Sequence, residues 1–208
     1  MTLLQELRSL LIYFWRRRRR DKPLRSVLHT TPDGRKILLR EPTPEDAESV
    51  VAFLKQVVTE ADFLITLPEE VPSVEAEENF IERFRSSPNA LMLLALDMSS
   101  DKVVGMMTFS GSMRKKLKHT GEFGISVLKD YQGRGIATAL INSLFEWARS
   151  KNIKKIHLQV MAGNLKAISL YKKLGFEFEG VRRRAVRQKD GSYEDLIMMG
   201  RWLDEEQG

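Results

Sequence analysis

The sequence predicts an α/β (α+β) fold with a mixed, mostly antiparallel central sheet flanked by helices. Three observations predict it. Strand-like segments follow one another over 90–96, 103–110 and 122–128 with only short polar turns between them, the pattern of an antiparallel meander. After residue 130 the pattern changes to helix, strand, helix, strand. A final pair of strands, 176–187 and 192–203, is joined by Lys189-Asp190-Gly191, and the Asp-Gly pair is a hairpin signal.

The elements read in order as follows. Residues 26–34 end in the turn signal Thr31-Pro32-Asp33-Gly34. Residues 36–40 read as a first strand, with Ile37 and Leu39 apolar, and Pro42 and Pro44 break it. Residues 45–59 look helical, 61–73 irregular, and 74–85 helical with Phe80, Ile81 and Phe84 on one face. Beyond the meander, 136–150 is a strong helix whose stripe is Leu140, Ile141, Leu144, Phe145 and Ala148. Residues 155–161 form a strand, and 165–174 a helix ended by Gly175. Two units are expected, an N-terminal amphipathic helix with a basic linker over 1–34 and one domain over 35–208.

Composition narrows the function. The 208 residues are 42% hydrophobic and 30% charged, an ordinary composition for a chain that buries a full core. Cysteine is absent, which excludes disulfides, thiolate metal sites and a cysteine nucleophile. The three histidines, His29, His119 and His157, have no metal-ligand spacing, so no metal is expected. The net charge of +6 resides in residues 1–25, where eight basic side chains face two acidic ones and the remaining residues balance. A basic tail on a neutral body gives no support to a nucleic-acid-binding domain.

Within that tail, Leu3, Leu4, Leu7, Leu10, Leu11, Phe14 and Trp15 share one helical face, and Arg16 to Arg20 follow. The apolar stretch is too short to span a bilayer, and its basic block stands on the wrong side for a secretory signal. One reading docks the segment on its own domain or on a second subunit as a homodimer. Another lays it on an anionic membrane surface. The expected localisation is cytoplasmic, with peripheral membrane contact under the second reading.

The chemistry is signalled by Tyr131-Gln132-Gly133-Arg134-Gly135-Ile136-Ala137-Thr138, set between a strand and a long helix. Glycines let the backbone turn tightly and approach a ligand, and the helix start offers unpaired N–H groups and a positive dipole end. That suits a pyrophosphate. The Gly-Lys-Ser/Thr ending of a Walker loop is missing, as is the third glycine of a dinucleotide fingerprint. A second segment runs from Asn164 through Ala167 and Tyr171 to Gly175-Phe176.

Together the two segments resemble the GCN5-related N-acetyltransferase (GNAT) superfamily. Its acetyl-CoA loop, Gln/Arg-x-x-Gly-x-Gly/Ala, is matched by Gln132, Gly135 and Ala137, and its later signature by Asn164, Ala167, Tyr171, Gly175 and Phe176. The resemblance covers about residues 35–203. It implies an acetyl-CoA-dependent N-acetyltransferase with no metal that transfers the acetyl group directly to a primary amine on a small molecule or peptide. It also implies a sheet with splayed strands, the pantetheine arm lying in a wedge between 125–128 and 157–160. Ile125, Val127, Gln132, Gly133, Arg134, Gly135, Ile136, Ala137, Thr138, Asn164 and Lys173 are the expected cofactor-binding residues, with the N–H near Val127 polarising the thioester carbonyl.

The resemblance gives Tyr171 the protonation of the leaving thiolate, the alternative being a core tyrosine. Glu122 is the candidate base, against a surface glutamate paired with the basic turn 114–118, and His119 is a lesser alternative. Arg182, Arg183, Arg184 and Arg187 form a solvated strand edge or favour an acidic substrate or partner. Acceptor walls are expected from 55–75 and the last hairpin. The rival class is a membrane-attached or partner-binding module that keeps the scaffold without turnover.

Overall fold

A computed structural model describes residues 26–203. The expected tail helix and arginine run, with their membrane and dimer readings, fall on residues 1–25 and lie outside the described residues. No described helix is long and apolar enough to cross a membrane.

Eight strands form one sheet in the order β1-β2-β3-β4-β5-β6-β8-β7. They are β1 Val27–Thr30, β2 Lys36–Arg40, β3 Ala90–Asp97, β4 Lys102–Gly111, β5 Thr120–Val127, β6 Lys155–Met161, β7 Glu177–Arg187 and β8 Tyr193–Trp202. Only β5 and β6 pair in parallel, so the sheet is mixed and mostly antiparallel, as expected. The helices are α1 Ala47–Glu60, α2 Val74–Ser86, α3 Ile136–Ser150 and α4 Leu165–Lys173.

The sheet begins earlier than the expected boundary at residue 35. β1 pairs antiparallel with β2, Val27 opposite Leu39, so the strand at 36–40 is the second one. The turn at Thr31-Pro32-Asp33-Gly34 closes a hairpin: the Gly34 N–H donates to the Thr31 carbonyl and Gly34 sits at φ +84°.

Two faces of the sheet are covered. Met107, Phe109 and Phe123 lie on the α3 face, where Phe109 meets Trp147 edge to face at 5.5 Å. The α3 stripe Leu140, Ile141, Leu144, Phe145 and Ala148 is buried as its spacing predicts. α1 and α2 cover the opposite face and bury Val50, Phe53, Val57 and Ile81. α4 is short, and of its residues only Tyr171 is fully buried.

At Gly121, where β5 passes beneath Phe109, a Cβ would stand 2.2 Å from the Phe109 ring and 2.8 Å from the Ser110 carbonyl oxygen. Phe109 is itself fully buried, so neither neighbour can yield cheaply. Gly121→Ala is expected to cost about 1–3 kcal/mol through overpacking. Thermal denaturation should show Tm lowered by several degrees; an unchanged Tm would mean that the Phe109 pocket accommodates the methyl group.

Candidate active site

The site is built where β5 and β6 part. Their parallel pairing runs Thr120↔Lys155, Gly121↔Ile156, Glu122↔His157 and then ends. On its other edge β5 stays paired with β4 as far as Gly105↔Val127. Beyond the last parallel pair, β6 stays paired with β8 as far as Met161↔Leu196. The wedge expected from the sequence is therefore present, but it opens one residue later on β6, because His157 is still paired.

Which main-chain groups face the wedge follows from alternation. The Leu128 N–H donates to the Val104 carbonyl of β4. Amide directions alternate along a strand, so the N–H groups of Ile125 and Val127 point away from β4 into the wedge. On β6 the Lys154 carbonyl accepts from Leu203 at the β8 edge, which turns the main chain of Gln159 toward the wedge. A slot lined by peptide groups suits an extended, amide-bearing ligand arm.

At the end of β5 the chain makes a 3-10 turn over Lys129–Tyr131 and enters α3 through Gly133 (φ +71°) and Gly135 (φ +81°). Gly135 is the N-cap and has no side chain to satisfy the helix's first N–H groups. Those of Ile136, Ala137 and Thr138 have no acceptor within the helix, since the first intrahelical bond is that of Ala139 to Gly135, 2.9 Å. The Ile136 side chain is core, so it offers a ligand only its main chain. A Cβ at Gly133 would meet nothing within 4 Å. This is an open anion cradle at the end of the wedge, and the residues present fit a pyrophosphate followed by a pantetheine-like arm.

Four anchors fix that loop. Glu60 of α1 accepts the Lys129 N–H at 3.0 Å, which with the Gln56 side chain holds its carboxyl below the usual range. Asp97 of β3 accepts the Tyr131 hydroxyl at 2.8 Å and is held low first by the Ser99 hydroxyl and N–H. The Gln132 side-chain amide donates to the Val127 carbonyl at 3.1 Å. From β1, His29 Nε2 lies 3.0 Å from the Arg134 carbonyl.

The guanidinium of Arg134, one of the expected cofactor-binding residues, is paired with Asp33 of the β1–β2 turn and bonded to the Asp130 carbonyl. Lys173 is exposed on the last turn of α4. Asn164 caps α4, its side-chain oxygen accepting the Ala167 N–H at 3.1 Å.

Tyr171 stands on the α3 face among Phe123 (5.9 Å) and Phe176 (5.8 Å), both edge to face. It is 8% exposed, and its hydroxyl has no hydrogen-bond partner among the described residues. Burial pushes the phenol up to about 12.

Glu122 precedes Phe123 on β5 and so projects to the opposite face. It takes no ion pair from the turn 114–118 among the described residues. Gln159 Nε2 donates to Glu122 Oε1 at 2.9 Å, and His157 Nε2 stands 3.7 Å from Oε2. Arg182 Nη1 donates to Gln159 Oε1 at 2.9 Å. His119 is remote from this group: it stacks on Trp202 at the paired end of β5 and β6. Phe63, within the expected acceptor wall, would meet a Cβ at Gly163 at 3.2 Å.

His29, Asp33, Glu60, Asp97 and Gln159 were not foreseen. A signal existed for the first two: a turn at 31–34 before a strand implies a partner strand ahead of it.

Comparison with known proteins bears on the family and the fold. The profile of the acetyltransferase (GNAT) family matches residues 59–176. An L-amino acid N-acetyltransferase of Escherichia coli (strain K12) is 35% identical over 124 residues, 58% of this chain and 73% of that protein. The [ribosomal protein bS18]-alanine N-acetyltransferase of the same organism is 36% identical over 76 residues, and the chain spans about half of it (51%). A GNAT-family acetyltransferase crystal structure from Streptococcus pneumoniae superposes with TM-score 0.75 at 32% identity, covering 80% of this chain and 99% of that one.

The buried phenol gives a pH prediction. In the unfolded chain Tyr171 ionises near 10.0, in the folded protein near 12. Between these values only the folded state keeps the proton, so this contribution to stability is complete below pH 10 and is lost as pH rises toward 12. Ultraviolet difference titration of wild type against Tyr171→Phe should show the missing ionisation at the upper value; a missing step near 10 would place the hydroxyl in water.

Proposed function

The chain belongs to the acetyltransferase (GNAT) family and is an N-acetyltransferase, and we propose that it moves the acetyl group of acetyl-CoA directly onto a primary amine held between Glu122 and the β5–β6 wedge. The observation that carries this reading is the parting of β5 from β6 beside the glycine-turned start of α3. One ligand can then have its pyrophosphate on the N–H groups of Gly135 to Thr138 and its arm along Ile125, Val127 and Gln159.

The chemistry follows from the two faces. The amine nitrogen attacks the thioester carbonyl from the Glu122 face, a C–N bond forms and the C–S bond breaks. Glu122, directly or through a water, takes the proton that the ammonium must lose. The Val127 N–H stabilises the carbonyl oxygen as charge builds on it. Tyr171 keeps its proton across the neutral range, so it serves as a donor to the departing thiolate. Gln132 contributes by tying the loop to Val127, and Asn164 by starting α4 so that Tyr171 reaches the wedge. Arg134 acts through its main chain while Asp33 holds its side chain; Lys173 is free to reach the outer phosphates.

A panel of primary amines with acetyl-CoA, read as free CoA release, tests the reading. Acetyl-CoA binding without turnover across the panel would instead favour a binding module. Gly135→Val should abolish acetyl-CoA binding in calorimetry while circular dichroism stays native, because the side chain enters the cradle and meets the His29 ring, 3.2 Å from a Cβ there. Tyr171→Phe keeps the ring and should lower kcat roughly 10²-fold with acetyl-CoA affinity nearly unchanged; full activity would leave Tyr171 a packing residue.

A further inference from the structure

Resting on that reading, we infer that the acceptor is a free α-amino acid, its amine at Glu122 and its carboxylate on Arg182. The two relatives described above leave the matter open, since one is named for an L-amino acid and the other for an alanine of a ribosomal protein. What separates these acceptors chemically is the group beside the amine, a carboxylate in one and a peptide carbonyl in the other.

Arg182 and Glu122 are opposite charges that do not touch. A single neutral amide, that of Gln159, stands between them with 2.9 Å bonds at both ends. Oε1 and Nε2 of one amide are about 2.2 Å apart from bond lengths alone, so Arg182 Nη1 and Glu122 Oε1 are held no more than about 8 Å apart. An α-amino acid laid alongside Gln159 would bridge the two atoms that Gln159 leaves open, Arg182 Nη2 and Glu122 Oε2. Its nitrogen and carboxylate oxygen are about 3 Å apart, and each end adds a charge-assisted contact of about 2.8 Å, a reach of about 8.6 Å when extended.

Valence is available at both ends. Arg182 uses Nη1 on Gln159, and its Nε and Nη2 donors have no acceptor among the described residues. Among the described residues, Glu122 Oε2 has only His157 near it, at 3.7 Å, too far for a direct bond. There is room as well: Gly124, next to Glu122 on that face of β5, is exposed, and a Cβ there would meet only Thr108 Oγ1 at 4.0 Å. Arg182 itself lies opposite Leu196 just before β7 loses register, which fixes its backbone at this end of the sheet. The two charges thus run Arg to Glu against the carboxylate-to-ammonium order of an amino acid. Arg182 is exposed, so water solvates its guanidinium until a ligand arrives; a free carboxylate can take that place, whereas a neutral amine or a peptide N-terminus brings no group that does.

The full chain is assayed with acetyl-CoA against the L-amino acids, their carboxamides and a short peptide with a free N-terminus, each read as CoA release. The best amino acid should exceed its carboxamide and the peptide at least 30-fold in kcat/KM, most of it in KM. Arg182→Gln should bring that ratio within about threefold, and Arg182→Lys, which keeps the charge but not the fork, should restore part of it. A carboxamide or peptide acetylated as well as the free acid overturns the inference and leaves the transferase reading standing. A carboxylate preference that survives in Arg182→Gln overturns the role of Arg182. Failure of every acceptor, with acetyl-CoA still bound, overturns the transferase reading itself and this inference with it.

Discussion

Everything at the site depends on β5 losing one partner while keeping the other. A strand with both edges free would not hold its shape, but β4 pairs with β5 along its whole length, Gly111↔Gly121 through Gly105↔Val127. β6 is secured in the same way by β8. The wedge between them is therefore a rigid opening in a continuous sheet. Phe123, Tyr171, Phe145 and Phe176 pack beneath it with ring centroids 5.7–5.9 Å apart, so that the α3 face stays closed where the strands diverge.

The same divergence puts two unlike environments within a residue of each other. Phe123 faces the aromatic cluster, where the Tyr171 phenol is desolvated and retains its proton. Glu122 faces the other way, half-exposed and hydrogen-bonded to Gln159. Strand alternation, the most elementary property of β structure, is what sets the Glu122 carboxylate and the aromatic cluster around Tyr171 on opposite faces of β5.

Much of this was legible in the sequence because it is local. The α3 stripe, the antiparallel meander and the glycine turn at 133–135 are set by periodicity and by φ preference. What was not legible depends on partners far along the chain. Nothing near residue 134 says that Asp33, about a hundred positions earlier, takes the Arg134 guanidinium, and nothing near Asp97 names Tyr131. Glu122 could be named as a candidate but not joined to Gln159 and Arg182, since those meet only once β8 lies between β6 and β7. The missed strand β1 is a different failure: its alternation is short and its neighbours are polar, so only the turn after it pointed to a hairpin.

The alternation along β5 also has a consequence for how the unliganded protein exchanges its amide protons. Gly124 and Ser126 direct their N–H groups into the ladder with β4, whereas Ile125 and Val127 direct theirs into the wedge. Neighbouring residues of a single strand therefore differ in protection, slow and fast in turn, which cooperative fraying of a strand end would not produce. That sawtooth is a fingerprint of a slot within a folded sheet, and a hydrogen-bonding arm laid along it would flatten the pattern.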